Sequence, residues 1–277
     1  MLSVSARFIG GHPAENGRNR LRRKARMSEL TQDYAVARDG TQLALHRIGA
    51  GRPLVLLHGL FSNADTNWIR FGHARVLADA GFDVIMPDLR AHGQSGAPHG
   101  AAAYPRDVLV RDVEDVIAHC ALADFDLAGF SLGARTAAAA VIAGVAPRRL
   151  VLAGMGLQGL SGWHRRAAFF IDAIDRFDSV KRGDDAWFAV QFMKSTKVDR
   201  VAARLLLQSV GDVAQGDLAR ITVPTLVVAG DKDRDNGDPE ALAEVLPDAR
   251  FVEISGTHMS SVTDPALGRT IAEFLTA

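Results

Sequence analysis

The sequence predicts an α/β fold in which a mostly parallel β-sheet carries helices on both faces and a short helical cap is inserted. Apolar runs typical of buried strands alternate with helical segments along most of the chain. Parallel strands need crossover connections, which helices provide. The alternation stops at residues 157–218, a stretch longer than one crossover needs. We therefore expect an α/β core domain of residues 28–156 and 219–277, with residues 157–218 as a helical cap or lid.

Composition is that of an ordinary globular protein. The chain has 277 residues, 48% of them hydrophobic, so it can bury a sizeable core. Lys plus Arg and Asp plus Glu both number 32, so net charge indicates no nucleic-acid partner. The single cysteine, Cys120, excludes an internal disulfide and a multi-cysteine metal site, and we expect neither a metal nor an organic cofactor. Because no stretch approaches the roughly 18 apolar residues of a membrane span, we expect a cytoplasmic protein without a membrane partner.

Basic residues are concentrated at the start of the chain. Residues 1–26 hold seven of the basic residues and one acid, Glu15. This segment has no hydrophobic middle region, as a secretory signal would, and no periodic hydrophobicity. We expect residues 1–27 to be a disordered basic leader. A basic targeting or binding arm is the alternative.

The predicted elements follow one another with clear boundaries. Two short strands flank Asp39-Gly40, a pair typical of a hairpin turn. Further strands are predicted at 53–57, 82–86, 125–129, 149–153, 224–229 and 250–254. Helices are predicted at 65–80, from 108, and at 132–145, 240–245 and 265–275.

The turn Gly129-Phe130-Ser131-Leu132-Gly133 lies between a predicted strand and a predicted helix. A chain that reverses within two or three residues forces strained backbone angles on the residue at the tip, Ser131. The glycines on either side allow neighbouring backbone to approach. This geometry exposes the hydroxyl of Ser131 and makes it a candidate nucleophile.

A serine nucleophile needs a base and a carboxylate that orients the base. His258 follows the last predicted strand and is the best-placed base. The strand at 224–229 leads into three acids, Asp231, Asp233 and Asp235. We favour Asp233, because Asp231 lies too close to the strand end and because Asp231 and Asp235 fit solvated loop acids.

Acyl transfer also needs donors for the oxyanion, and backbone N–H groups serve best because they are fixed in advance. Leu132 supplies one such group from the serine turn. His58-Gly59 forms a tight turn after the strand at 53–57 and points the N–H of Leu60 toward Ser131. Leu60 and Leu132 are therefore the predicted oxyanion donors.

From about Tyr34 onward the chain resembles an α/β-hydrolase of the serine esterase and lactonase type. The resemblance lies in His58-Gly59, in the run Asp88-Leu89-Arg90-Ala91-His92-Gly93-Gln94-Ser95, in the serine turn, in Gly230-Asp231-Lys232-Asp233 and in Gly256-Thr257-His258. It implies a catalytic triad of Ser131, Asp233 and His258 in that chain order, with oxyanion donors at Leu60 and Leu132. Many relatives have glycine where this chain has Ala91. Arg90 and His92 are expected to brace their loop.

The residues in and near the serine turn limit the classes of reaction that the site is expected to catalyse. Serine at position 131 argues against dehalogenase and epoxide hydrolase chemistry, which would need an aspartate. Perhydrolases of this family carry tryptophan and methionine where this chain has Leu60 and Leu132, so peroxide chemistry is not favoured. We expect a carboxylesterase-like hydrolase that forms an acyl-enzyme on Ser131. Hydrolysis of lactones, including enol-lactones, or of C–C bonds in vinylogous diketones remains open, as does a small-molecule receptor on the same fold.

The expected partner is a small-molecule ester or lactone with an apolar group. The inserted segment is rich in aromatic residues, which favours a lid with an apolar underside. The alternative is that these side chains only pack the insertion onto the core. The candidate substrate-binding residues are Phe61, Phe130, Trp163, Phe192 and Met193, although Phe130 also fits a packing role.

Overall fold

A computed structural model describes residues 29–277, so the predicted leader of residues 1–27 lies outside the described residues. The described residues form an eight-stranded sheet in the order β1-β2-β4-β3-β5-β6-β7-β8. The strands are β1 Thr31–Val36, β2 Gln42–Gly49, β3 Arg52–Leu57, β4 Phe82–Pro87, β5 Asp126–Phe130, β6 Leu150–Ala153, β7 Thr225–Gly230 and β8 Ala249–Ile254.

The sheet is antiparallel at one edge and parallel elsewhere. β1 and β2 form the predicted hairpin, in which Val36 pairs with Gln42 across a turn that contains Gly40. β2 also runs antiparallel to β4. From β4 through β3, β5, β6 and β7 to β8, all neighbours are parallel. The predicted mostly parallel sheet is therefore confirmed, with β5 near its centre.

The helices agree with the predicted pattern apart from two local differences. They are α1 His73–Asp79, α2 Val108–His119, α3 Leu132–Ala143, α4 Leu157–Ser161, α5 Trp163–Asp175, α6 Trp187–Thr196, α7 Arg200–Ser209, α8 Pro239–Val245, α9 His258–Ser261 and α10 Pro265–Thr276. The helix predicted at 65–80 is divided, because Gly72 adopts a φ of 81° between a π-helical turn, Asp65–Ile69, and α1. His258, predicted on a loop, begins the short helix α9.

Side chains of the central strands alternate between two hydrophobic clusters, one on each face of the sheet. In β3, Val55 and Leu57 belong to one cluster, and Leu54 and Leu56 belong to the other. The first cluster includes residues of α2, α3, α8 and the inserted helices. The second includes residues of α1 and α10. Helices thus cover both faces of the sheet. The three residues of the predicted triad lie beyond the ends of the strands.

Helices α4 to α7 lie between β6 and β7 in the chain, where the cap is predicted. They contribute buried side chains to the same cluster as α2 and α3. Within residues 29–277, no helix combines the length and apolar character that crossing a bilayer requires.

Candidate active site

Ser131 lies at the tip of the turn between β5 and α3. Its backbone has φ 53° and ψ −112°. Residues other than glycine rarely adopt this conformation, because their Cβ atom clashes with the backbone. The N–H of Ser131 donates to the carbonyl of Ala153 on the neighbouring strand at 2.8 Å. The turn is thus held in its strained form, and the Ser131 side chain remains partly exposed.

The two glycines of the turn are required by close backbone contacts. A Cβ atom on Gly129 would lie 2.2 Å from the carbonyl carbon of Gly133. A Cβ atom on Gly133 would lie 2.1 Å from the carbonyl oxygen of Leu57, at the end of β3. α3 therefore begins directly against β3 and β5, which fixes the serine relative to the loop that follows β3.

His258 reaches the serine from the first position of α9. The side chain of Thr257 caps this helix by accepting a hydrogen bond from the N–H of Ser260. The Nε2 atom of His258 lies 3.0 Å from the Oγ atom of Ser131. The imidazole also packs on the ring of Phe130, with ring centroids 5.0 Å apart. These contacts orient the histidine toward the predicted nucleophile.

Asp233 completes a continuous hydrogen-bonded chain. Its Oδ2 atom lies 2.8 Å from Nδ1 of His258, and its carboxylate is buried. The N–H of Asp235 donates to the other carboxylate oxygen at 3.2 Å. Because a carboxylate accepts the Nδ1 proton, Nε2 is left to accept the proton of the Ser131 hydroxyl.

Neither of the other two acids of this loop bonds to His258 among the described residues. The carboxylate of Asp231 accepts a hydrogen bond from the N–H of Gly256 at 2.7 Å and is exposed. Asp235 contacts Asp233 through its backbone N–H. Of the three acids considered, only Asp233 bonds to His258 in the part of the chain that the structure describes.

In the loop after β3, the backbone N–H groups on either side of Leu60 donate hydrogen bonds. The N–H of Gly59 donates to the side-chain oxygen of Asn67 at 3.0 Å, that of Phe61 to Nε2 of His92 at 2.9 Å, and that of Ser62 to the carbonyl of Gly59 at 3.2 Å. The N–H of Leu60 has no acceptor among the described residues. A Cβ atom on Gly59 would lie 3.5 Å from Cβ of Ser131, so this loop abuts the serine.

The second predicted donor is free for a different reason. Leu132 is the first residue of α3, so its N–H has no acceptor within the helix. The Ser131 side chain makes no capping hydrogen bond to the helix. The N–H groups of Leu60 and Leu132 thus flank Ser131 without protein acceptors among residues 29–277.

Two buried neutral histidines hold the loop after β3. Nε2 of His58 accepts from the N–H of Leu89 at 2.9 Å, and its Nδ1 donates to the carbonyl of Gly59 at 2.8 Å. Nδ1 of His92 donates to the carbonyl of Arg90 at 2.9 Å. Burial lowers the pKa of His58, and it lowers the pKa of His92 to about 3. Both imidazoles are therefore neutral and structural, and neither forms a hydrogen bond to Ser131 among the described residues.

Arg90 braces the loop that follows β4. Its guanidinium forms two hydrogen bonds to the carboxylate of Asp112 on α2, at 2.9 and 2.7 Å. It also donates to the hydroxyl of Thr41 and the carbonyl of Ala103. Arg90 is almost completely buried and lies among structural partners.

The five candidate substrate-binding residues are mostly buried. Phe61 contacts the ring of Phe170 edge-on, with centroids 5.4 Å apart. Phe61 also lines a cavity of about 80 Å³ together with His92 and residues 196–199. Trp163 and Met193 are buried in the core cluster, Phe192 packs against that cluster, and Phe130 supports His258. Substrate contact by these five residues stays a prediction.

Sequence reasoning missed Arg135, which joins α3 to the inserted helices. Its guanidinium donates to the carbonyls of Leu160, at 2.7 Å, and of Gly211. It also lies over the ring of Trp163, with Cζ 5.2 Å from the centroid. Burial lowers the pKa of Arg135 to about 10. A lone arginine in an alanine-rich helix carries no motif, so only its position four residues after Ser131 was available as a signal.

Two buried asparagines were also missed. Asn67 holds the Gly59 N–H, and its own Nδ2 atom is buried without a partner among the described residues. The side chain of Asn236 donates to the carbonyl of Gly154 at 2.7 Å, which attaches the loop of Asp233 to the start of the insertion. Within residues 29–277, no three His, Cys, Asp or Glu side chains are grouped as metal ligands would be.

Comparison with known proteins agrees with this architecture. The profile of the alpha/beta hydrolase fold family matches residues 52–155. The chain is 28% identical over 223 residues to the AB hydrolase superfamily protein YisY of Bacillus subtilis, covering 73% of this chain and 81% of that protein. It is also 28% identical over 233 residues to a non-heme haloperoxidase of Rhodococcus erythropolis, covering 73% and 82% respectively.

A solved structure shows the same fold at lower identity. The esterase EaEST of Exiguobacterium antarcticum superposes with a TM-score of 0.74 at 20% identity, covering 89% of this chain and all of that chain. At this identity the likeness concerns the fold alone.

Proposed function

Because the chain belongs to the α/β-hydrolase superfamily, we propose that it is a serine hydrolase that cleaves a carboxylic ester of a small molecule. One observation carries the proposal: the hydrogen-bonded chain from Oγ of Ser131 through His258 to Asp233, with distances of 3.0 and 2.8 Å. The proposed substrate is a small molecule met in the cytoplasm. The inserted helices serve as its lid.

The proposed reaction has two halves. Oγ of Ser131 attacks the ester carbonyl while Nε2 of His258 takes the hydroxyl proton. The resulting oxyanion accepts hydrogen bonds from the N–H groups of Leu60 and Leu132. The bond to the alcohol oxygen then breaks, and His258 returns the proton to that oxygen, which leaves an acyl-enzyme. Water attacks the acyl carbon, gives its proton to His258, and the acid leaves as Ser131 regains its proton.

Asp233 contributes by keeping the imidazole in one tautomer and by stabilising the imidazolium that forms in each half. The strained turn places Ser131 immediately before α3, next to the two free N–H groups. Lactone hydrolysis and cleavage of vinylogous diketones need the same groups, so they remain alternatives for the same site. Reversible binding without turnover, as in a receptor, is the remaining alternative.

Peroxide chemistry is a second candidate because a relative is named a haloperoxidase. In this reaction hydrogen peroxide replaces water in the second half-reaction. It attacks the acyl carbon, gives a proton to His258, and the acyl group leaves Ser131 as a peracid. The side chains of Leu60 and Leu132 do not favour it. Oxidation of a halide indicator by enzyme, ester and hydrogen peroxide together would identify this activity.

The proposal is tested with a chromogenic short-chain ester and a serine-directed phosphonate. We expect turnover by the purified protein and a mass adduct on Ser131. The variant Ser131→Ala should lose both, and its circular dichroism spectrum should stay unchanged. A panel of esters, lactones and ring-fission diketones then ranks the three hydrolytic reactions. No turnover on any substrate and no adduct would overturn the enzyme proposal.

A further inference from the structure

Helix α5 turns one face toward the core domain. Trp163 and Ile174 are buried, and Arg166 and Phe170 are partly buried, whereas Arg165 is exposed. Positions three and four apart lie on one side of a helix. Arg166 is therefore a cation on the side of α5 that packs against the core domain.

This face of α5 contacts loops on both sides of Ser131. Arg166 donates a hydrogen bond to the carbonyl of Asp235, in the loop after β7. One turn later, Phe170 contacts Phe61, in the loop after β3. β5 lies between β3 and β7 in the sheet. A helix that touches both loops must pass over the carboxyl end of β5, where Ser131 lies.

Arg166 has few partners for a guanidinium in this position. Its hydrogen bond to Asp235 uses a neutral carbonyl, and its Cζ atom lies 5.6 Å from the ring centroid of Phe170. It forms no ion pair within residues 29–277, and the nearby carboxylate of Asp233 is bound to His258. Burial lowers the pKa of Arg166 in spite of the charges of Asp235 and Asp233. Most of its five N–H donors are thus left without a protein acceptor among the described residues.

We propose that Arg166 binds a carboxylate on the substrate, so that the preferred substrates are esters or lactones that carry a carboxylate remote from the reacting carbonyl. A guanidinium matches a carboxylate with two parallel hydrogen bonds. A partly desolvated cation gains more from such a partner than an exposed cation does. The ring of Phe170 lies beside it and in turn contacts the ring of Phe61, which fits an apolar chain between the carboxylate and the ester. This inference rests on the proposed hydrolase function.

A matched pair of esters tests the proposal: mono-4-nitrophenyl adipate and 4-nitrophenyl hexanoate. They share a leaving group and chain length and differ in a terminal carboxylate. We expect the wild-type kcat/KM to be higher for the adipate ester. Arg166→Gln should lower the ratio of the two kcat/KM values about 10- to 100-fold, the range for a hydrogen bond to a charged group. The loss should appear mainly in KM, and Arg166→Lys should recover part of it.

Arg165→Gln is the matched control, because Arg165 is the neighbouring, exposed cation of the same helix. It should leave the ratio unchanged. A wild-type enzyme without preference for the adipate ester, or an Arg166→Gln variant that slows both esters equally, would overturn the role of Arg166 while the hydrolase function stands. If neither ester reacts and no phosphonate adduct forms on Ser131, the proposed function itself fails.

Discussion

His92 accepts a hydrogen bond from the backbone N–H of Phe61, with a distance of 2.9 Å from N to Nε2. Phe61 has a φ of 58°, so this bond holds a turn that a residue with a side chain adopts reluctantly. It also withdraws the Phe61 N–H from the serine and leaves the adjacent N–H of Leu60 as the free donor. An imidazole outside the proposed triad is thereby bonded to the residue that follows the proposed oxyanion donor, Leu60.

Replacement of His92 should impair the chemical step. His92→Phe removes the acceptor of the Phe61 N–H, and the turn can then rotate the Leu60 N–H away from the oxyanion. We expect kcat to fall about 10- to 100-fold, as small misplacements of catalytic groups do, with a smaller change in KM. Steady-state kinetics on a neutral ester measure this. His92→Gln can still accept a hydrogen bond and should recover part of kcat, whereas an unchanged kcat in His92→Phe would refute the role.

Acid should destabilise the fold through the same histidine. Burial lowers the pKa of His92 to about 3, whereas an unfolded histidine titrates near its ordinary value of about 6.5. Between these two pH values the unfolded chain binds a proton on His92 that the folded protein does not bind. The stabilisation that neutral His92 gives to the folded state is therefore intact above about pH 6.5. It is lost at about 1.4 kcal/mol per pH unit as the pH falls toward 3.

Urea unfolding at several pH values checks this slope. His92→Gln lacks the titrating group, so its free energy of unfolding should fall less on acidification than that of the wild type. His58 lies next to His92, with ring centroids 5.2 Å apart, and its pKa is also lowered by burial, so it should contribute in the same direction in both proteins. Equal losses in the wild type and in His92→Gln would argue against a neutral buried His92.

The strained backbone of Ser131 should lower stability. Ser131→Ala and Ser131→Gly both lose the hydroxyl and the bond to His258, but only glycine accepts a φ of 53° without steric cost. We expect Ser131→Gly to be about 1–2 kcal/mol more stable than Ser131→Ala in chemical unfolding. Both variants should be inactive on esters. Equal stability of the two would mean that the turn relaxes without cost.

The carboxylate assignment is open to a paired test. Asp233→Asn removes the acceptor of the His258 Nδ1 proton and favours the wrong tautomer, so kcat should fall by about 10⁴, as for triads of this kind. Asp231→Asn changes an exposed side chain that bonds to the Gly256 N–H, so kcat should change little. Ester kinetics on both variants decide between the acids, and the reverse ranking would move the assignment to Asp231.

Most of the strand and helix pattern was predictable because it depends on local sequence. Continuous apolar runs such as Leu54 to Leu57 occur where a strand is covered on both faces, and the structure buries all four side chains. The division of the helix predicted at 65–80 was not predictable from hydrophobicity. It depends on the left-handed conformation of Gly72, which periodicity does not report.

At the site, residues with specific chemistry were easier to find than residues that act through position. Ser131, Asp233 and His258 each follow a strand, in the chain order that the resemblance to α/β-hydrolases implies. The structure joins them by hydrogen bonds. Arg135 and Arg166 instead donate hydrogen bonds to carbonyl groups distant in sequence. Such contacts depend on how the insertion folds back over the sheet, and no local pattern encodes that.

Arg135 forms a joint between α3 and the two ends of the inserted segment, and this joint suggests where the segment could be exchanged for that of another protein. Its guanidinium bonds to Leu160 and Gly211, and the N–H of Val213 donates to the Leu160 carbonyl at 3.1 Å. The insertion thus enters and leaves the core at one point. A chimaera that exchanges only residues 164–209 would keep the joint, whereas one cut at β6 and β7 would discard it. We therefore expect the intervening helices to be exchangeable as one unit without loss of the contacts that Arg135 makes to the insertion.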